Sequence, residues 1–356
     1  FIRKEYQQRG YQEVITPQLF NKELWELSGH REHYKENMFT LKVDDQEFSL
    51  KPMNCPSHVL IYKSDSRSYR DLPLRIADFC MLHRNELKGV LGGLTRVRKF
   101  SQDDAHIFCT KEQIKPELEA LLDFVSYVYK DVFKFEFVLK LSTKPESAMG
   151  DPSLWEVAET TLKQALEQKG FAYTIKTGEG AFYGPKIDID VKDALGRYWQ
   201  VATIQLDFQM PLRMGAEYQG ADGQKHTPVM IHRAILGSVE RFFGVLIEHY
   251  AGNFPLWLSP EQVRIITVND TFNEHARTLE KHYKEKGIRT TFDDRAESIS
   301  KKVRDSQLEK VNYTITIGEQ EITSGQLDIR SRKGDREKKT KEEFLQQLTE
   351  EIREKK

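Results

Sequence analysis

The densest run of chemically capable side chains lies between His83 and His106 of the 356-residue chain. It reads His83-Arg84-Asn85-Glu86, then the glycine-containing stretch Lys88 to Gly93, then Arg96-Val97-Arg98-Lys99-Phe100-Ser101-Gln102-Asp103-Asp104-Ala105-His106. If the two arms are paired strands, Arg84, Glu86, Arg96, Arg98, Gln102 and Asp104 share one parity and crowd onto one face. Guanidinium forks suit phosphate oxygens, a carboxylate such as Glu86 accepts from an exocyclic amine, and Phe100 offers a ring on which a base can stack. This is the chemistry of an ATP site built without a glycine-rich phosphate cradle, since neither GxxxxGK nor GxGxxG occurs. Periodicity alone describes a salt-bridged, solvated hairpin equally well. Another arginine, Arg241, follows in His232-Arg233-Ala234 to Phe242, on a helix predicted from Ala234 to Tyr250. An ordinary amphipathic helix would turn the same arginine to solvent.

The elements that must position these residues fall into two sets, separated at Phe254-Pro255-Leu256-Trp257-Leu258-Ser259-Pro260. Beyond that joint, strands at 263–268, 288–292, 313–317 and 327–330 alternate with helices at 271–286, 298–310 and 341–354, a small α/β domain. Before it, helices at 3–9, 117–129 and 154–169 intersperse with strands at 11–15, 74–79, 97–100, 135–141, 187–191 and 199–208. That order predicts an α+β fold with a mostly antiparallel sheet. The domain assignment is therefore 1–254 and 255–356. With 38% hydrophobic and 31% charged residues the chain has ample core material, and it lacks any apolar run long enough for a membrane-spanning helix. A formal net charge of −1 argues against non-specific coating of nucleic acid and is silent about local patches. Three cysteines cannot form a disulfide framework, which points to a reducing, cytoplasmic setting or an organellar matrix.

At the level of strings, the chain resembles the class II aminoacyl-tRNA synthetases. Pro17 after the first helix and strand resembles their motif 1, His83 to Phe100 motif 2, and Gly237-Ser238-Val239-Glu240-Arg241 motif 3. Narrower strings are similar to the threonyl-tRNA synthetase family: Lys51-Pro52-Met53-Asn54-Cys55-Pro56, Gln102 to Phe108, Gly180 to Lys186 and Val229 to Ala234. The resemblance covers essentially the whole chain. It implies a class II antiparallel sheet with flanking helices, followed by an α/β anticodon-binding domain, and a homodimer formed through the motif 1 region.

It also implies the residue roles. ATP, with Mg2+, would be held by Arg84, Arg96 and Arg241, its adenine between Phe100 and Arg241 with the amine near Glu86. Gln200 and Thr203 would border the nucleoside, and Lys186 joins Arg84 and Arg241 among the catalytic residues. Cys55, His106 and His232 match three zinc ligands, one Zn2+ per chain; they stand 51 and 126 residues apart, a spacing that would never have proposed them. Threonine would lie against Met53, Arg84, Gln102, Asp104, Tyr183 and Gln205, with Asp104 accepting from its hydroxyl. His30, in Ser28-Gly29-His30, matches a histidine that helps deprotonate a ribose hydroxyl of the threonine tRNA, a role an imidazole suits near neutral pH. Glu321 and Arg330 match anticodon-reading positions, and the basic run from Arg330 to Lys341 reads as a solvated loop or a phosphate contact.

The implied activity is an ATP-dependent threonine–tRNA ligase, passing through threonyl-adenylate. The chief alternative is a synthetase-derived sensor or RNA-binding regulator, disfavoured because the arginines and the proposed metal ligands are all present. Zinc separates threonine from valine but not from serine, so correction of serine errors is expected outside this chain, which opens at motif 1 without an initiator Met. Three departures from the family pattern stand out. Ala296 replaces an Asn suited to reading a base edge, and Ser57 and Ala202 stand where Gly is frequent, both read as outside the assigned chemistry.

Overall fold

In the computed structural model, which describes residues 1–356, the chain divides into two units, Phe1–His249 and Tyr250–Lys356. The first opens with a helix at Ile2–Gln8 (α1) that buries Tyr6. Its main sheet contains Gln12–Glu13 (β1), Leu74–Asp78 (β2), Met81–His83 (β3), Lys99–Cys109 (β4), Phe137–Ser142 (β5), Tyr173–Lys176 (β6), Lys186–Lys192 (β7), Tyr198–Asp207 (β8) and Val229–Ser238 (β9). The strand order is β1-β2-β4-β9-β8-β7-β5-β6, with β3 also pairing along β4. Only the two edge pairs, β1–β2 and β5–β6, are parallel. The inner strands are antiparallel, as the α+β expectation required.

Helices at Ile114–Ser126 (α3, following Cys55–Lys63, α2) and Pro152–Gln168 (α4) pack on the sheet strands. Helix α3 buries Ile114, Leu118, Leu121, Leu122 and Val125, the spacing of a single apolar stripe, and α4 buries Trp155, Ala158, Leu162, Ala165 and Leu166 in the same way. Asp151 caps α4 by accepting from the Ser153 N–H at 2.8 Å. A further three-stranded sheet, Leu19–Asn21, Thr40–Val43 and Gln46–Leu50, lies outside the sequence reading altogether.

Two irregularities interrupt the main sheet. Between β7 and β8 the register steps from Ile189↔Ala202 to Asp190↔Gln200, so Val201 is an unpaired, bulged residue. Between β9 and β4 it steps from Ala234↔Asp104 to Ser238↔Gln102, looping out residues 235–237. The expected helix over 234–250 is thus shortened: residues 234–238 belong to β9, and the helix proper is Val239–Tyr250 (α5). The reason is local. The N–H groups of Ile235, Leu236 and Gly237 donate to the buried carboxylate of Asp103 at 3.0, 2.9 and 2.8 Å rather than entering a helix. Gly237 has φ 69° and no room for a side chain, since a Cβ there would lie 1.8 Å from the Val201 carbonyl oxygen.

The second unit has a five-stranded sheet of Val263–Thr267 (β10), Thr290–Phe292 (β11), Tyr313–Ile317 (β12), Leu327–Ser331 (β13) and Arg336–Lys339 (β14), in the order β11-β10-β12-β13-β14. β10 pairs in parallel on both sides and is buried at every residue, as a central parallel strand must be. Helices Asn273–Glu285 (α6), Ile299–Leu308 (α7) and Lys341–Arg353 (α8) complete the α/β pattern. The basic run after Arg330 is a β-hairpin rather than a loop, its turn closed by Ser331 and Asp335. No helix is long and apolar enough to cross a membrane.

Candidate active site

Alternation along β4 sends Phe100, Gln102, Asp104 and His106 to one face of the sheet and Asp103 to the other. Those four line a cleft of about 380 Å³ in the first unit. Strict alternation would put Gln200 and Thr203 on opposite faces of β8. The bulge at Val201 brings both, with Gln205, to the cleft wall.

The exposed part of the cleft is rich in arginine. Arg84, Arg96 and Arg241 all line it, as do Glu86 and Lys186. Arg96 pairs with Glu86 at 2.9 Å and its side chain remains 47% exposed. Arg84 donates to the Pro52 carbonyl at 3.2 Å, and its guanidinium lies 5.0 Å from the Phe100 ring centroid. Arg241, four residues past the looped-out segment, donates from Nε to the Thr95 carbonyl at 2.7 Å and from Nη1 to the Gln200 carbonyl at 2.8 Å. Burial and the nearby Arg96 and Arg84 lower its pKa, the expected effect of gathered cations. Asp188 forms a node beneath this region: it accepts from Lys186 Nζ at 2.7 Å, Ser142 Oγ at 2.9 Å and Thr203 Oγ1 at 3.3 Å, and from Gln200.

The buried part is built differently. Cys55, His106 and His232 are 2%, 1% and 3% exposed, and their ligand atoms all lie within 4.8 Å of one another. His106 Nε2 faces His232 Nδ1 at 3.0 Å, and His232 Nε2 lies 2.9 Å from Asp207 Oδ2. One thiolate and two imidazoles, one of them backed by a carboxylate, suit a zinc ion with its fourth position open. Burial pushes the Cys55 thiol up and the His106 imidazole down; a bound cation would draw the proton from the thiol, whereas His106 already favours the neutral form that a ligand needs. Tyr183 stacks on the His232 ring at 4.6 Å and donates to Gln205 Oε1. Asn54 donates to Asp104 Oδ2 at 3.0 Å, and Met53 completes the wall.

His30 is the exception. It is fully buried and does not line the cleft: Nδ1 bonds Ser28 Oγ at 2.9 Å, and Nε2 contacts Met53 Sδ at 3.3 Å and Cys55 Sγ at 3.9 Å. Burial lowers its pKa to about 3. Its ring thus touches two residues that line the cleft, Met53 and Cys55, without itself lining it. Ala202, expected to lie outside the chemistry, lines the cleft, whereas Ser57 donates to the Asn54 carbonyl inside α2. Arg98 shares the parity of its neighbours yet donates to the Glu86 carbonyl outside the cleft lining. In the second unit, Glu321 is engaged by the Gly318 N–H at 2.9 Å, and Arg330 stands on β13 opposite Thr314 and Arg336. Sequence reasoning missed Asp103, Asp188, Asp207 and His58; nothing but their residue type marks them, since Asp103, Asp207 and His58 act through neighbours distant in the chain and Asp188 gathers Lys186, Ser142, Gln200 and Thr203 from three strands.

A twisted antiparallel sheet with an arginine-lined cleft, joined to an α/β unit, matches two family models: the tRNA synthetase class II core domain (G, H, P, S and T) over residues 39–250, and an anticodon binding domain over 262–355. The chain belongs to the class II tRNA synthetase family. Within it, the chain is 51% identical over 356 residues to the threonine–tRNA ligase of Carboxydothermus hydrogenoformans, covering all of this chain and 56% of that one. It is 52% identical over 333 residues to mitochondrial threonine–tRNA ligase 1 of Arabidopsis thaliana, covering 93% and 47%. The chain thus spans about half the length of the curated relatives it matches. Among solved structures, the RNA binding domain of threonyl-tRNA synthetase from Cryptosporidium parvum superposes with a TM-score of 0.95 at 46% identity, covering 98% of this chain and 88% of the other. A protein described as putative threonyl-tRNA synthetase from Aeropyrum pernix gives 0.83 at 30%, covering 99% and 86%.

Proposed function

We infer that this chain carries the catalytic and anticodon-binding parts of an ATP-dependent threonine–tRNA ligase, with functional domains at 1–254 and 255–356. The observation that carries the reading is the cleft itself: Cys55, His106 and His232 open into the same space as Asp104, Tyr183 and the arginine set. In the first step the threonine carboxylate attacks the α-phosphorus of ATP, giving threonyl-adenylate and pyrophosphate. Arg84, Arg96 and Arg241 neutralise the phosphate charge together with Mg2+, and their mutual crowding is relieved by that anion. Glu86 accepts from the adenine amine, Phe100 packs against the base, and Gln200 and Thr203 border the ribose. Lys186, steered by Asp188, adds a further cation at the phosphates. No protein nucleophile is required.

Threonine and valine are near-isosteric, and an apolar pocket separates them by only about 10²-fold. Held by Cys55, His106 and His232, zinc would act as a Lewis acid for the substrate's amine and hydroxyl together, whereas valine brings only the amine. Asp104, held by Asn54, accepts from the hydroxyl. Gln102 and Tyr183 orient the amine and carboxylate, and Met53 and Gln205 close the pocket. The terminal adenosine of the threonine tRNA then attacks the mixed anhydride. His30 is assigned to the ribose hydroxyl; for that role its ring must reach the cleft, past the Met53 and Cys55 that it contacts. Glu321 and Arg330 are assigned to the anticodon. The segment from Phe1 to Pro17, with Ile15 86% exposed, is assigned to a homodimer interface.

The test is threonine-dependent ATP–pyrophosphate exchange by the purified chain, with serine and valine as competitors, before and after chelation of zinc. Exchange with threonine that disappears on chelation and returns with zinc is the expected result. Exchange that survives complete zinc loss sinks the metal assignment. Tight threonine or RNA binding without any exchange favours the regulator reading instead.

A further inference from the structure

His58 is a fully buried histidine with no part in amino-acid activation or transfer, and its surroundings are specific. It lies one turn into α2, three residues after Cys55, and its Nδ1 is 2.7 Å from Nδ1 of His106. Two ring nitrogens at that distance must share one proton, one donating and the other accepting. On its far side His58 Nε2 has no hydrogen-bond partner within normal range, and Asp78 Oδ2 lies 3.7 Å from it. Asp78 is itself fixed, accepting from Thr16 Oγ1 at 2.7 Å and from the Cys80 N–H at 2.9 Å, with the buried Lys51 ammonium 3.5 Å away.

The carboxylate decides the tautomer. A single N–H on neutral His58 is favoured at Nε2, directed at Asp78, which leaves Nδ1 of His58 as a bare acceptor. His106 must then carry its own proton on Nδ1 and present a lone pair on Nε2, the nitrogen that faces His232 and belongs to the Cys55–His106–His232 cluster. His232 reaches the same state by a shorter route, with Nε2 against Asp207 and Nδ1 turned inward. We propose that His58 is a positioning residue of the metal centre, which, backed by Asp78, fixes the tautomer and ring orientation of His106 as Asp207 does for His232. Outer partners of this kind are worth roughly 10–100-fold in metal affinity. The proposal rests on the metal reading of the cleft.

The experiment is zinc affinity of the purified whole chain by competition with a chromophoric chelator, together with the visible spectrum of the cobalt-substituted protein. His58→Leu removes the acceptor at similar volume; His58→Gln keeps a carbonyl oxygen able to accept from His106. The expected result is zinc binding roughly 10–100-fold weaker in H58L with an altered cobalt spectrum, and largely restored affinity in H58Q. A folded H58L with parental affinity and cobalt spectrum overturns the proposal. Should H58L not fold, Asp78→Asn asks the same question, because it removes the charge that sets the tautomer; unchanged affinity in D78N overturns it equally. Failure of the unaltered chain to bind zinc removes the metal reading and this proposal together, whereas parental affinity in H58L removes only the latter.

Discussion

The two parts of the cleft hold their functional groups by opposite means. Around Cys55, His106 and His232 every orienting partner is a side chain drawn from a distant element, Asp207, His58 and Tyr183 among them, and the whole set is buried. Around Arg84, Arg96 and Arg241 the orienting groups are largely backbone carbonyls, at Pro52, Thr95 and Gln200, with one half-exposed ion pair to Glu86. Buried polar networks are rigid when fully satisfied and costly when broken, whereas exposed pairs contribute little and leave long side chains free to re-aim. A site that must separate two amino acids differing by a hydroxyl against a methyl benefits from the first arrangement. One that must close on a flexible polyphosphate benefits from the second.

The largest effect should therefore come from the buried part. Cys55→Ala removes one of three proposed ligands, and threonine-dependent pyrophosphate exchange is expected to fall by roughly 10³-fold or more, with the residual activity no longer rejecting valine. Steady-state exchange with both amino acids checks this. Undiminished discrimination in C55A would erase the contrast between the two parts. Next comes Arg241→Ala, which deletes a guanidinium proposed to meet the phosphate charge; a loss of about 10²–10³ in kcat is expected, with KM for threonine little changed. A rise confined to the threonine KM would place Arg241 with the wrong part of the cleft.

This contrast also explains what could be read from sequence. Arg84, Glu86 and Arg96 lie between two strands close in the chain, and their shared parity with Gln102 and Asp104 is what sequence could offer, although Arg98, of the same parity, does not line the cleft. Cys55, His106 and His232 come from a helix and two strands, and only resemblance could gather them. Gln200 and Thr203 differ by three positions and would be assigned to opposite faces; the bulge at Val201 that reconciles them leaves no signal that periodicity can detect. The same holds for residues 235–237, which read as helix in the sequence but whose N–H groups are captured by Asp103, more than a hundred residues earlier. Strand alternation and helix stripes are local; bulges and buried carboxylate nodes are set by partners remote in the chain.

Asp103 links the two parts, because it shapes the loop-out that precedes Arg241 while its neighbour Asp104 faces the metal cluster. Burial pushes its carboxyl up to about 6, against the opposing pull of Arg233 and its hydrogen bonds. Between about pH 4 and pH 6 the folded chain then holds a proton that the unfolded chain has released. Stability should accordingly fall as pH rises through that window, by up to about 3 kcal/mol at roughly 1.36 kcal/mol per pKa unit. Asp103→Asn cannot titrate, and it offers one oxygen where three N–H groups and Tyr6 converge. Urea unfolding of D103N across this range should lack that component of the slope, and its ATP KM should rise with the threonine KM nearly unchanged. A pH profile parallel to the parent's would mean another group carries the transition.

The smallest effect is expected where the exposed part is most solvent-accessible. Glu86→Gln keeps the shape and the acceptor oxygen beside Arg96 but removes the charge. The Arg96 side chain is 47% exposed, so the ion pair itself contributes no more than about 1 kcal/mol. The proposed bond from the adenine amine survives on the amide oxygen, weakened from a charged to a neutral acceptor, again about 1 kcal/mol. The ATP KM should rise by roughly 5- to 10-fold, kcat should change less, and zinc affinity should not move at all. That last measurement is the discriminating one. A substitution at Glu86 that weakened zinc binding would couple the two parts, and the division between a rigid, buried half and an adjustable, exposed half would fail.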